Sequence, residues 1–160
     1  MPLEPSAIKG SHHLIETRPL EHAAMITIRS ILVVDDEEIL LRTLRRLLTW
    51  AGFLPHVAHN GEEAYALSRE LTFDLIICDI QIPGTGGFEI IQTIREDCLL
   101  RRKPSSPVLF TTGSILKSHE DAVKTYPDAF LLQKPFGAYE LLACIRHEIP
   151  QAVAASSSLR

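Results

Sequence analysis

The sequence predicts an α/β domain: a parallel sheet with helices on both faces. Two observations carry this. Five short apolar runs recur along the chain, each followed by a segment with helical spacing, and that alternation implies a parallel sheet with right-handed crossovers. Polar residues of a particular kind then stand at the ends of four of those runs. Asp35 and Asp36 follow Ile31 to Val34, Asp79 follows Leu75 to Cys78, Thr112 closes the run from Val108, and Lys134 comes just after Phe130 to Leu132. Open parallel sheets bind ligands beyond the carboxyl ends of their strands. Three carboxylates, one ammonium and one hydroxyl are therefore expected to converge in one crevice. Such a cluster calls for a cation, and it offers an aspartate as nucleophile.

Each element has its own signal. Ile31–Val34 reads as a buried parallel strand because it is a continuous branched apolar run. The first helix is expected from about Glu38 to Ala51, with Leu40, Leu44, Leu47, Leu48 and Ala51 at helical spacing and Gly52 as its stop. Strand two is expected at Phe53–Ala58. Asn60-Gly61 then turns the chain into a helix at Glu62–Glu70. Strand three is Leu75–Cys78. A loop with Pro83, Gly84, Gly86 and Gly87 leads to helix three, Phe88–Asp97. Residues 101–107 form a basic connector, which reads as a solvated loop rather than a partner contact. Strand four is Val108–Thr111, helix four lies around His119–Thr125, strand five is Phe130–Leu132, and helix five is Tyr139–Glu148, ended by Pro150. Trp50 is placed at the far end of helix one.

Composition narrows the function. At 46% hydrophobic and 22% charged over 160 residues, the chain can pack one core without staples. A net charge of −4 argues against a general nucleic-acid binder, which is usually basic. No apolar run approaches the roughly 18 residues of a membrane span. The first residues carry Glu4 and no apolar core, so no signal peptide is expected. Cys78, Cys98 and Cys144 are widely spaced and odd in number, with no zinc or redox spacing, and a cytoplasmic location is the default. Residues 1–29 read as a flexible extension, in which His12-His13 belongs to a solvated loop and Met25 offers an alternative start. Residues 30–149 form the domain, and 150–160 a flexible tail.

The ordered pieces Val33-Val34-Asp35-Asp36-Glu37, Asp79 to Gly84 with Gly87, Thr112-Gly113 and Lys134-Pro135-Phe136 resemble the receiver domain of two-component response regulators of the chemotaxis-regulator type. The resemblance covers about Ser30 to Ile149. It implies a flavodoxin-like five-stranded parallel sheet in 2-1-3-4-5 order. It also implies that Asp79 is the phosphoacceptor, served by Thr112 and Lys134, and that Lys134-Pro135 is a cis bond. Magnesium is implied as the cation, with Asp36 and Asp79 as direct ligands, the carbonyl of Gln81 as a third and Asp35 acting partly through water. An all-oxygen set suits Mg²⁺, which keeps several waters and adds phosphate oxygens. Two carboxylates about 4 Å apart repel by roughly 4 kcal/mol at an effective dielectric near 20, which a divalent ion removes. Gln81 and Ser114 are implied to flank the phosphate.

The resemblance makes the partners a sensor histidine kinase or a histidine phosphotransfer protein, and an unknown downstream protein. No nucleic acid or membrane is implied, and a homodimer through the helix-four to helix-five face stays open. One departure is visible. The family carries an aromatic three residues before the lysine, and here that residue is Leu131, with Phe130 beside it on the opposite face. Leu116, Phe136 and Tyr139 are placed near the expected output face. Residue by residue, blander readings exist: Asp36 as a helix N-cap, Asp35 as a solvated acid, Thr112 as a strand-end hydroxyl and Lys134 as a surface lysine. Asp79 after four apolar residues resists them, because an unpaired buried carboxylate is costly. Two rival functions remain open. One is a docking module that works without phosphorylation. The other is an aspartyl-phosphate phosphohydrolase of the haloacid dehalogenase type, against which stands the adjacent pair Asp35-Asp36 in place of an Asp-x-Asp motif.

Overall fold

In the computed structural model, residues 27–149 are described. His12, His13, Met25 and the expected tail at 150–160 lie outside the described residues, as does most of the expected extension. Strand pleating decides where everything else goes. In β1 (Ser30–Val34), Ile31 and Val33 face one layer while Leu32 and Val34 face the other. The same alternation continues in β2 (Leu54–Ala58), β3 (Leu75–Asp79), β4 (Val108–Thr112) and β5 (Ala129–Gln133). All pairings are parallel and the order is β2-β1-β3-β4-β5, the order expected from the resemblance.

Helices α1 (Glu38–Trp50) and α5 (Ala138–Glu148) cover one face, closing Leu41, Leu44, Leu48, Leu141 and Ile145 over Ile31, Val33, Ile77 and Leu109. Helices α2 (Gly61–Glu70) and α3 (Gly87–Leu100) cover the other, with Ala64, Ile90, Ile91 and Ile94 over Leu32, Ile76, Cys78 and Phe110. Gly52 ends α1 at φ 89°, a left-handed turn that favours glycine. Asn60 caps α2 by accepting from the Glu63 amide at 2.9 Å.

Several boundaries differ from the sequence expectation. Strands β3 and β4 each run one residue further, so Asp79 and Thr112 are strand residues paired in register with Thr111 and Gln133. Helix α3 continues to Leu100, leaving Leu99 and Leu100 exposed, and stops where Arg102 takes φ 55°. Arg101 therefore leaves the basic connector: it pairs with Asp97 at 3.1 Å and donates to the Arg69 carbonyl. Helix α4 spans Lys117–Val123 rather than His119–Thr125. It has no buried residue and no side-chain N-cap, so no apolar stripe marks its ends in the sequence. Thr125 and Tyr126 instead close turns onto Ala122 and Val123.

Candidate functional site

The carboxyl ends of β1, β3, β4 and β5 point to one rim, and the polar residues singled out above gather there. Asp35 leaves β1 with its amide bonded to the Ala58 carbonyl at the end of β2, which fixes where its side chain starts. Asp79 ends β3. Lys134 reaches both: its Nζ donates to Asp35 Oδ2 at 2.7 Å and to Asp79 Oδ2 at 2.9 Å. The other oxygens are also occupied. Asp35 Oδ1 accepts from the Glu37 amide at 2.9 Å, and Asp79 Oδ1 from the Gln81 amide at 3.1 Å. Both acids are nearly sealed, at 2% and 5% exposure. Asp36 is exposed beside them, and carboxylate oxygens of Asp35, Asp36 and Asp79 lie within 4.8 Å of one another. The N-cap position of α1 belongs to Glu37, so Asp36 does not cap that helix.

Helix α3 is pressed against this rim. A Cβ on Gly87 would stand 2.0 Å from the Asp79 carbonyl oxygen. Only glycine lets the start of α3 approach the backbone of Asp79 so closely. The Gly87 amide donates to the Ile80 carbonyl at 2.9 Å and holds the turn in place.

Electrostatics follow from burial and pairing. Burial pushes the Asp35 carboxyl above its ordinary range, and the Lys134 hydrogen bond offsets part of that. Burial works against the Lys134 ammonium, but hydrogen bonds to Asp35 and Asp79 outweigh it and the group is held above its usual value. The lysine is thus a resident counter-charge for two sealed acids. It makes no contact with Asp36, and the donor set of three carboxylates is all oxygen, which fits a hard divalent cation such as Mg²⁺.

Thr112 is fully buried, and its hydroxyl is taken within its own loop. It donates to the Ser114 carbonyl at 2.9 Å and accepts from the Ser114 amide at 3.3 Å. Its carbonyl accepts from the Lys134 amide at 2.7 Å, tying β4 to β5 beside the site. The Lys134-Pro135 bond is cis. The Gln81 side chain lies over Gly113, with its Oε1 3.9 Å from where a Cβ would be.

On β5, Phe130 packs with the α1 and α5 layer, and Leu131 with the α2 and α3 layer. Leu116 and Tyr139 are exposed, whereas Phe136 is half-buried against the first core. Trp50 is exposed at the far end of α1.

Three residues near the site were given no role by the sequence reading. Glu37 brings an oxygen to 3.6 Å from Lys134 Nζ, and its place directly behind Asp35-Asp36 was a usable signal. Tyr126 and His119 had none. Tyr126 stacks on Phe88 with centroids 6.3 Å apart, meets Phe110 at 5.7 Å, and carries the Arg95 guanidinium over its ring at 4.7 Å. His119 bonds through Nδ1 to the Ser114 carbonyl at 3.2 Å. Only the fold brings these rings together.

Comparison with known proteins agrees with this picture. The family model described as the response regulator receiver domain matches residues 31–146. A probable transcriptional regulator, ycf29 of Pyropia yezoensis, is 31% identical over 132 residues, covering 81% of this chain and 57% of that protein, so this chain spans little more than half of it. The polar-differentiation response regulator DivK of Brucella anthropi is 28% identical over 124 residues, covering 78% of this chain and 98% of that one. A response regulator structure from Burkholderia pseudomallei, with a phosphorylated aspartic acid, a calcium ion and citrate, superposes with a TM-score of 0.62. Its identity is 31%, over 72% of this chain and 65% of that one. No helix among the described residues is long and apolar enough to cross a membrane.

Proposed function

The chain belongs to the response regulator receiver domain family of two-component signalling, and from that premise we propose that it accepts a phosphoryl group on Asp79 from a phosphohistidine. The donor is a sensor histidine kinase or a histidine phosphotransfer protein, and the phosphorylated form switches affinity for a downstream protein. The observation that carries this reading is the arrangement of Lys134. One ammonium bridges two sealed carboxylates at 2.7 and 2.9 Å, so Asp79 is held in place beside a positive charge. An aspartate side chain placed this way can serve as a nucleophile, and the neighbouring ammonium is positioned to meet the oxygens of an incoming phosphoryl group.

In the proposed step an oxygen of Asp79 forms a bond to phosphorus while the bond from phosphorus to the donor imidazole breaks. The electron pair returns to that ring nitrogen, which takes up a proton. The products are an acyl phosphate on Asp79 and a free histidine. Asp35, Asp36, Asp79 and the Gln81 carbonyl would hold Mg²⁺, which when bound supplies positive charge to the phosphoryl oxygens. Lys134 exchanges its contact with the Asp79 carboxylate for one with the phosphoryl group and keeps its contact with Asp35. The Thr112 hydroxyl gains a new acceptor once the phosphoryl oxygens arrive. Water attack on phosphorus then breaks the bond from phosphorus to the Asp79 oxygen, releasing inorganic phosphate and restoring the carboxylate, with Gln81 and Ser114 beside the path.

The test is intact mass after incubation with acetyl phosphate and Mg²⁺. One added phosphoryl group, absent in Asp79→Asn and after chelation, is the expected result. No adduct from acetyl phosphate or from a phosphohistidine donor would leave the phosphorylation-independent docking module as the better account. That second reading has one observation in its favour, the engagement of the Thr112 hydroxyl with Ser114.

A further inference from the structure

One backbone oxygen joins the acceptor site to helix α4. The Ser114 carbonyl accepts from the Thr112 hydroxyl at 2.9 Å and from His119 Nδ1 at 3.2 Å. A carbonyl has two lone pairs and no proton, so both partners must donate, and Nδ1 of His119 carries a hydrogen. The two donors come from opposite sides of the switch. Thr112 ends β4 beside Asp79, whereas His119 lies in the first turn of α4. Beyond His119 the contacts continue through rings. Its imidazole lies 6.3 Å from Phe88, Phe88 stacks on Tyr126 at 14° between planes, and Arg95 covers Tyr126 and pairs with Asp128. Strand β5 offers no such path, because Leu131 has no ring and no polar atom to follow Thr112.

We infer that His119 is a positioning residue, and that the acceptor site is coupled to helix α4 through the Ser114 carbonyl and the His119 imidazole. The inference rests on Asp79 being the acceptor. When Asp79 carries a phosphoryl group, the Thr112 hydroxyl leaves Ser114 for it. The Ser114 carbonyl is then held by His119 alone, and the β4–α4 loop moves with that single bond. Helix α4 can follow, because it has no fully buried residue and meets the core mainly through half-buried Val123. The Phe88–Tyr126 stack reports the movement.

The experiment uses Mg²⁺ and beryllofluoride as the phosphoryl mimic on the full chain, with bound fluorine signals proving the adduct. Ring resonances of Tyr126 and the imidazole nitrogens of His119 are followed by NMR. The wild-type chain is expected to shift both on adduct formation. In His119→Ala the adduct is expected to form to the same extent, while the Tyr126 shift falls by at least about fivefold. His119→Gln restores much of it, since its amide can donate to the same carbonyl. A Tyr126 shift that is equal in wild type and His119→Ala, with the adduct present in both, overturns this coupling and leaves the acceptor reading intact. No adduct in the wild type overturns the acceptor reading, and this inference with it.

Discussion

The two sides of the sheet are built to different standards. Around β1 and β3, burial is nearly complete: every residue of β3 is buried, α1 closes Leu41, Leu44 and Leu48 over the core, and α3 closes Ile90, Ile91 and Ile94. Around β5, only Leu132 of the strand is buried, and α4 buries nothing. The acid pair is anchored to the first side, the lysine reaches it from the end of β5, and the Thr112 loop opens onto the second side. Rigidity where charge must be held and looseness where a signal must leave is a division that packing alone creates. Local opening is cheapest where apolar contacts are fewest.

Perturbations should separate the two sides, and the largest effect belongs to the charge cluster. Lys134→Met leaves Asp35 and Asp79 sealed without their counter-charge, and breaking a buried pair in this way costs about 3–5 kcal/mol. Denaturant unfolding at neutral pH should show that loss. Mg²⁺ or a second change, Asp79→Asn, should return part of it; no recovery from either would mean that the loss is not electrostatic.

Packing comes next. Leu44→Ala, in the tight half, should cost about 2–5 kcal/mol. Leu116→Ala, half exposed beside α4, should stay within about 0.5 kcal/mol. Equal losses would erase the distinction between the halves. Gly87→Ala tests the contact at the rim itself. Its methyl would meet the Asp79 carbonyl at 2.0 Å, and the displacement should cost about 1–3 kcal/mol and slow phosphoryl uptake together.

The smallest effect concerns an exposed link across the tight half. His59 lies between Glu63 and Glu38, at 2.9 and 2.7 Å, and hydrogen bonds to Glu63 first and Glu38 second hold its pKa above the ordinary 6.5. A raised value means that the folded state binds the proton more tightly than the unfolded chain. The contribution is therefore complete below about 6.5 and is lost as pH rises through the folded value. A melting series from pH 6 upward should show a small decline that His59→Asn removes. A decline of the same size in both proteins would assign it elsewhere.

The tight half was also the legible half. Apolar runs such as Ile31–Val34 and Leu75–Cys78 have one stable use, as buried parallel strands, and an aspartate or lysine directly behind such a run has few places to go. The fold class was accordingly visible in the sequence, whereas the strand order came from the resemblance to receiver domains. The loose half hid its details for the same physical reason. A seven-residue helix without a buried face leaves no periodicity, so α4 starts at Lys117, two residues before the expected start. The engagement of the Thr112 hydroxyl with Ser114 depends on a loop bend, and the meeting of Phe88, Phe110 and Tyr126 on tertiary contacts between distant segments. Leu131 was visible as a departure, but the contact of His119 with the Ser114 carbonyl was not.

The most direct test of the central claim is to trap the acyl phosphate where it forms. Borohydride reduces an aspartyl phosphate to homoserine, and peptide mapping by mass then names the residue. After acetyl phosphate and Mg²⁺, the account predicts homoserine at position 79 and at no other aspartate, with none formed when the cation is chelated. Homoserine at Asp35 or Asp36, or at no position while the protein is folded and supplied with Mg²⁺, would contradict it.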